Sequence, residues 1–106
     1  MISQTNIQEI SDIIVENIHP HKIILFGSCA RGDATDDSDL DLLIVKKEVS
    51  NKRAEMVQAR RLLSPLRIPV DILVASEDHL NSNWKDYPGT YLYDATREGV
   101  VLYEMA

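Results

Sequence analysis

The sequence predicts a fold of the α/β (α+β) class, a small β-sheet flanked by helices. Three observations carry this. Two stretches place apolar residues at helical spacing, and four short, mainly apolar runs are bounded by turn residues. At 106 residues the chain fits one domain, 1–106, just large enough to bury a single core without disulfides or a structural metal.

The first helix is expected from Thr5 to Ile18, where Ile7, Ile10, Ile13, Ile14 and Ile18 recur on one face and Thr5 with Gln8 forms a capping box. His19-Pro20-His21 ends it. Ile23 to Phe26 then reads as a short buried strand running into Gly27. Residues 27–38 are small, polar or glycine-containing and read as a loop, after which Leu40, Leu42, Leu43, Ile44 and Val45 make a second strand, interrupted by Asp39 and Asp41. Good helix formers from Asn51 to Leu63, with Ala54, Val57, Leu62 and Leu63 as apolar positions, predict a long helix that Ser64-Pro65 stops. Val70 to Val74 is a third strand, and Ser76 before Glu77 and Asp78 is a helix start. Asn81 to Gly89 reads as loop. Thr90 caps a last helix through Glu98, Gly99 fits its C-terminal turn, and Val100 to Tyr103 return as a fourth strand. No repeat or low-complexity segment is present.

Composition narrows the function. The 44% hydrophobic and 26% charged residues are those of an ordinary globular protein, and no apolar run approaches the length of a membrane span. The N-terminal MISQTNIQEI has no signal-peptide character, and the lone Cys29 permits no internal disulfide, which together favour a reducing cytoplasm. A net charge of -6 argues against direct, sequence-independent nucleic-acid binding, although acids under bound magnesium would not repel a partner.

The informative stretch is Gly27-Ser28, ten intervening residues, then Asp39-Leu40-Asp41 followed by apolar strand residues. A strand that ends in Gly-Ser and turns into a short helix leaves backbone N–H groups and a hydroxyl facing outward, a place for phosphate oxygens. Asp39 and Asp41, two apart on an extended chain, project from one face and can converge on a hard, oxygen-loving cation. The acid inside another apolar strand run is Asp71, the natural third ligand. A pair of such carboxylates repels by about 3 kcal/mol at roughly 5 Å and an effective dielectric near 20, a cost that a divalent cation removes. Two metal ions can then activate an acceptor hydroxyl and stabilise departing pyrophosphate, while Asp71 takes the acceptor's proton.

Gly27-Ser28, the gap, Asp39-x-Asp41 and the later Asp71 together resemble the signature of the DNA polymerase β-like nucleotidyltransferase superfamily. Ser28-Cys29-Ala30-Arg31-Gly32-Asp33-Ala34, Ser38-Asp39-Leu40-Asp41-Leu42-Leu43-Ile44 and Tyr91 to Gly99 resemble its minimal nucleotidyltransferase family. The resemblance implies a mixed sheet of the polymerase β palm-like nucleotidyltransferase fold, two Mg2+ ions at Asp39, Asp41 and Asp71, and ATP as substrate with triphosphate contacts from Gly27 and Ser28. It also implies a partner. Members are commonly encoded beside a helical HEPN protein and form a toxin-antitoxin pair in which the transferase adenylylates the HEPN ribonuclease. The expected function is AMP transfer to a hydroxyl of a protein acceptor, a tyrosine of a HEPN partner, in a homo- or hetero-oligomer. The alternatives are an antitoxin that neutralises the HEPN partner by occlusion alone and a small-molecule nucleotidyltransferase.

Each residue also has a plainer role. Ser28 can be an ordinary helix N-cap, Asp39 and Asp41 a solvated strand edge, and Asp71 a solvent-facing strand residue. Arg31 either reaches a phosphate of the nucleotide or braces the loop against Asp36 or Asp37. Lys52, Arg53, Arg60 and Arg61 make a basic helix that meets the triphosphate or an acidic partner, or is merely solvated. His19 and His21 lack further ligands at metal spacing, and Cys29 has no neighbouring His to activate it. Tyr87, Tyr91, Tyr93 and Tyr103 read as packing for the last helix and strand, with a partner-facing patch as their alternative use.

Overall fold

The apolar runs become the interior of one four-stranded sheet. The computed structural model describes residues 3–35 and 38–105. In chain order the elements are α1 (Gln4–Ile18), β1 (Lys22–Phe26), α2 (Ser28–Arg31), β2 (Leu40–Lys46), α3 (Lys52–Leu63), β3 (Val70–Ser76), α4 (Glu77–Leu80), α5 (Tyr91–Glu98) and β4 (Val100–Glu104). Short 3-10 turns follow α3 at Ser64–Leu66 and α4 at Asn83–Asp86. The sheet order is β3-β2-β1-β4; β1 lies antiparallel to both β2 and β4, and β2 pairs with β3 in parallel. The expected mixed sheet flanked by helices is what forms.

Alternation along the strands splits the core into two layers. Leu40, Leu42 and Ile44 of β2, with Ile72 and Val74 of β3, face α1 and α3 through Ile10, Ile14, Ala59 and Leu63. Leu43 and Val45, with Ile24, Phe26 and Ala75, face α4 and α5 through Leu80, Leu92 and Ala95. Leu40 and Leu42 to Val45 are buried because β2 is covered on both faces, which is why the run reads as continuously apolar. Full burial of each such side chain contributes about 1.5–3 kcal/mol. Asp41 interrupts this run on the α4–α5 face, an expensive position for an unpaired carboxylate.

The cap of α1 is Ser3, whose hydroxyl accepts from the Asn6 N–H at 3.1 Å. The Thr5–Gln8 capping box does not form, because Ser3 starts the helix earlier and Thr5 already lies inside it. Asn51, Ser76 and Thr90 cap α3, α4 and α5 through their side chains. Gly99 ends α5 with φ -70 and not in the left-handed conformation. Its small size is what counts there, since a Cβ would collide with the Ala95 carbonyl and Ile24. No described helix is long and apolar enough to cross a membrane.

Candidate active site

Strand directions gather the motif residues at one end of the sheet. Antiparallel pairing puts the C-terminal end of β1 beside the N-terminal end of β2, opposing Phe26 to Asp41; parallel pairing then opposes Asp41 to Asp71. Gly27-Ser28, Asp39, Asp41 and Asp71 therefore share that end. Asp41 and Asp71, as register partners on adjacent strands, project from the same face about 5 Å apart at the backbone.

Gly27 occupies φ 74, ψ -157, a region that side chains disfavour, and is the N-cap of α2 without a side-chain hydrogen bond. Ser28 is thus the first residue of α2 and not its cap, so the plain capping role does not apply. The first N–H groups of a helix have no intrahelical acceptor, and α2 begins at the sheet end that carries the acids. A Cβ on Gly27 would meet the Asp41 carboxylate, with Asp41 Cγ at 3.1 Å. The turn and the acid are packed so closely that only glycine fits.

The Asp41 side chain is half-buried and makes no ion pair among the described residues. Burial holds its carboxyl above the ordinary carboxylate range; the charges of Asp71 and Asp39 push the same way, and Arg31 opposes them. Asp39 and Asp71 are exposed. Arg60 of α3 reaches toward Asp71, Nη2 to Oδ1 3.9 Å, with the two side chains 53% and 63% exposed. Among the described residues no three His, Cys, Asp or Glu side chains are already gathered as a metal-ligand group. The acids share an end and a field but stand apart, as uncompensated like charges do. The donor set, all carboxylate oxygen, with Asp41 half-buried on β2, Asp71 on the neighbouring β3 and Asp39 in the loop just before β2, suits a hard divalent cation.

Arg31 turns to Glu98 at the end of α5 (3.1 Å) and to Asp33 (3.4 Å). Asp36 and Asp37, its expected partners, lie outside the described residues. The Glu98 contact spans 67 positions and carries no local sequence signal. Arg60 beside Asp71 was equally invisible, because only the crossover of α3 over β3 brings it there. Cys29 donates to the Asp39 carbonyl at 3.5 Å, and its thiol is pushed up by burial first and by Asp41 next. A protonated thiol is a poor nucleophile. His21 pairs with Glu77 at 2.9 Å and His19 caps α1, so neither approaches the acids. Tyr91, Tyr93 and Tyr103 are partly buried, whereas Tyr87 is exposed and lies against Trp84, ring centres 5.4 Å apart.

The nucleotidyltransferase family described as polymerase beta matches residues 8–106. Two proteins of Methanocaldococcus jannaschii, each named "putative protein adenylyltransferase", are similar to the chain. One is 37% identical over 84 residues, covering 77% of each chain. The other is 35% identical over 68 residues, covering 64% of this chain and 66% of its own length. The crystal structure of a "putative nucleotidyltransferase" from Sulfolobus solfataricus is similar at TM-score 0.65 and 27% identity, over 92% of this chain and 77% of that one. A toxin-antitoxin structure with AMP-PNP shares the fold at TM-score 0.71 and 24% identity, over 94% of this chain and 74% of that one.

Proposed function

The chain belongs to the polymerase beta nucleotidyltransferase family, and on that premise we propose that it is a Mg2+-dependent protein adenylyltransferase, moving AMP from ATP to a tyrosine hydroxyl of a HEPN-domain partner. The observation that carries the reading is the register pair Asp41–Asp71 beside the Gly27 turn, a half-buried acid with a second acid opposite and a turn that only glycine can make packed against it. A chain built only to bind would have no physical reason to keep them together.

Enzymes of this family use a nucleoside triphosphate and a divalent metal. Asp39, Asp41 and Asp71 would hold the cation; when bound it neutralises these acids and the phosphates and polarises the phosphoryl group. Gly27 lets the backbone approach the triphosphate, and the Ser28 hydroxyl donates to a phosphate oxygen. Arg31 has the reach to add a charged contact once it leaves Glu98. Asp71, exposed at the rim, accepts the acceptor's proton as the new oxygen–α-phosphorus bond forms and the bond from the α-phosphorus to the bridging oxygen breaks, releasing pyrophosphate. Toxin-antitoxin membership in a cytoplasmic setting follows from the same reading.

The rival is an antitoxin that occludes its partner without chemistry. One observation favours it: Asp71 faces Arg60 and the acids are not pre-gathered. The raised Asp41 pKa weighs the other way, since a merely solvated edge would not hold a carboxyl against its own charge. Incubation with α-labelled ATP, Mg2+ and the protein encoded beside it tests the proposal. Label should appear on a partner tyrosine and vanish with Asp41→Asn; tight complex formation without label would establish occlusion instead.

A further inference from the structure

The outer face of α3 is unlike the rest of the surface. The helix carries Lys52, Arg53, Arg60 and Arg61 against one acid, Glu55, a net of +3; with -6 for the whole chain, the remaining elements carry -9. Glu55 is turned inward and pairs with Lys46, so it does not screen the outer face. Arg53 and Arg61 are exposed and pair with no acid among the described residues. Arg53, Val57 and Arg61 follow one another at four-residue spacing and so form a single ridge along the helix. With Ala54 and Leu62, Val57 makes an apolar stripe along this outer face, Val57 itself being 36% exposed. The inward positions of the same helix, Ala59 and Leu63, already fill the core. The apolar groups of the outer stripe therefore have no use in the fold.

We infer that this face docks an acidic amphipathic helix of a partner protein. An apolar stripe flanked by two free guanidinium groups is complementary to a helix with an apolar seam and carboxylates on its flank. The length agrees: twelve residues of α3 span about 18 Å, or some three turns of a helix laid along it. A polynucleotide is the poorer match, because an apolar stripe offers its phosphates nothing and the remaining -9 repels them. The inference goes beyond the transfer reading and holds whether or not the docked protein is the acceptor.

The test uses the whole chain and a fluorescent synthetic helix of about 18 residues, with leucines at i, i+3 and i+4 spacing and glutamates on both flanks, followed by anisotropy. Wild type should bind it saturably, with Kd on the order of micromolar for so small an interface, and weaken as salt rises. R53E/R61E should weaken binding at least tenfold, and Val57→Ser, at a half-exposed position that leaves the core intact, severalfold. A scrambled peptide of the same composition should not saturate. Equal binding by R53E/R61E, equal binding of the scrambled peptide, or no binding by wild type overturns the inference. Tighter binding of an oligouridylate of equal charge, lost in R53E/R61E, overturns it in favour of RNA. ATP affinity with Mg2+ should be the same in every variant. Its loss in wild type would count against the transfer reading and leave the docking result standing.

Discussion

Asp41 and Asp71 oppose each other in register across the parallel pair β2–β3, at the sheet end where Gly27 turns the chain away. Two carboxylates so placed make the metal-free protein less stable than its shape alone allows, and the consequences can be measured.

Asp41→Asn should leave the metal-free fold as stable as wild type or more so at neutral pH, by about 1 kcal/mol after solvent screening, or ~4–8 °C in Tm. The pH dependence fixes the cause. The Asp41 pKa is raised in the folded state, so the folded chain holds that proton more tightly. Stability is lost as pH rises from the unfolded carboxylate value, about 3.9, through the higher folded value. The advantage of the variant should therefore grow across that window and disappear below it. Thermal melts in chelator from acid to neutral pH check this.

Gly27→Ala should destabilise the chain by about 1–3 kcal/mol, since the new Cβ meets the Asp41 carboxylate and the backbone conformation there suits only glycine. Combined with Asp41→Ala, part of the cost should vanish, leaving the strain of φ 74. Denaturant titrations of the two single variants and the double variant read the coupling. Additive effects would mean that the turn and the acid do not touch.

Ser28→Ala should leave the melting temperature unchanged, because Gly27 and not Ser28 occupies the cap position. Transfer should fall on the order of tenfold to a thousandfold, as for loss of one transition-state hydrogen bond. A wild-type rate would remove Ser28 from the phosphate site.

Arg31 and Glu98 separate by ligand affinity. Both side chains are 42% exposed, so loss of their pair should move the melting temperature little. Arg31→Ala should weaken Mg2+-ATP binding, whereas Glu98→Gln removes the charge from one of the guanidinium's two acid contacts and should leave that binding intact or tighter. Equal affinity in both variants and wild type would make Arg31 a brace alone.

Much of this was legible in the sequence because the strands are short and buried. Leu40 to Val45 announces a strand covered on both faces, and an acid inside such a run stands out. What spacing could not give was register: only the fold sets Asp71 against Asp41 and not against Leu40 or Leu43. Ser3 was passed over because two hydroxyl residues compete to start α1 and only the folded chain shows which cap forms. The turn at Asn83–Asp86 read as plain loop, since a 3-10 turn of polar residues leaves no apolar period. Arg31 with Glu98 and Arg60 with Asp71 are contacts between distant elements, which no local pattern encodes.

The central claim is that Asp39, Asp41 and Asp71 hold a divalent cation that carries the nucleotide. Calorimetric titration of ATP into wild type and Asp41→Asn, each with Mg2+ and with excess chelator, tests it most directly. Strong binding is expected only for wild type with Mg2+, accompanied by a stability gain of about 2.7 kcal/mol at a hundredfold excess of ligand over Kd. ATP binding that is equally tight in chelator, or unchanged in Asp41→Asn, would contradict it.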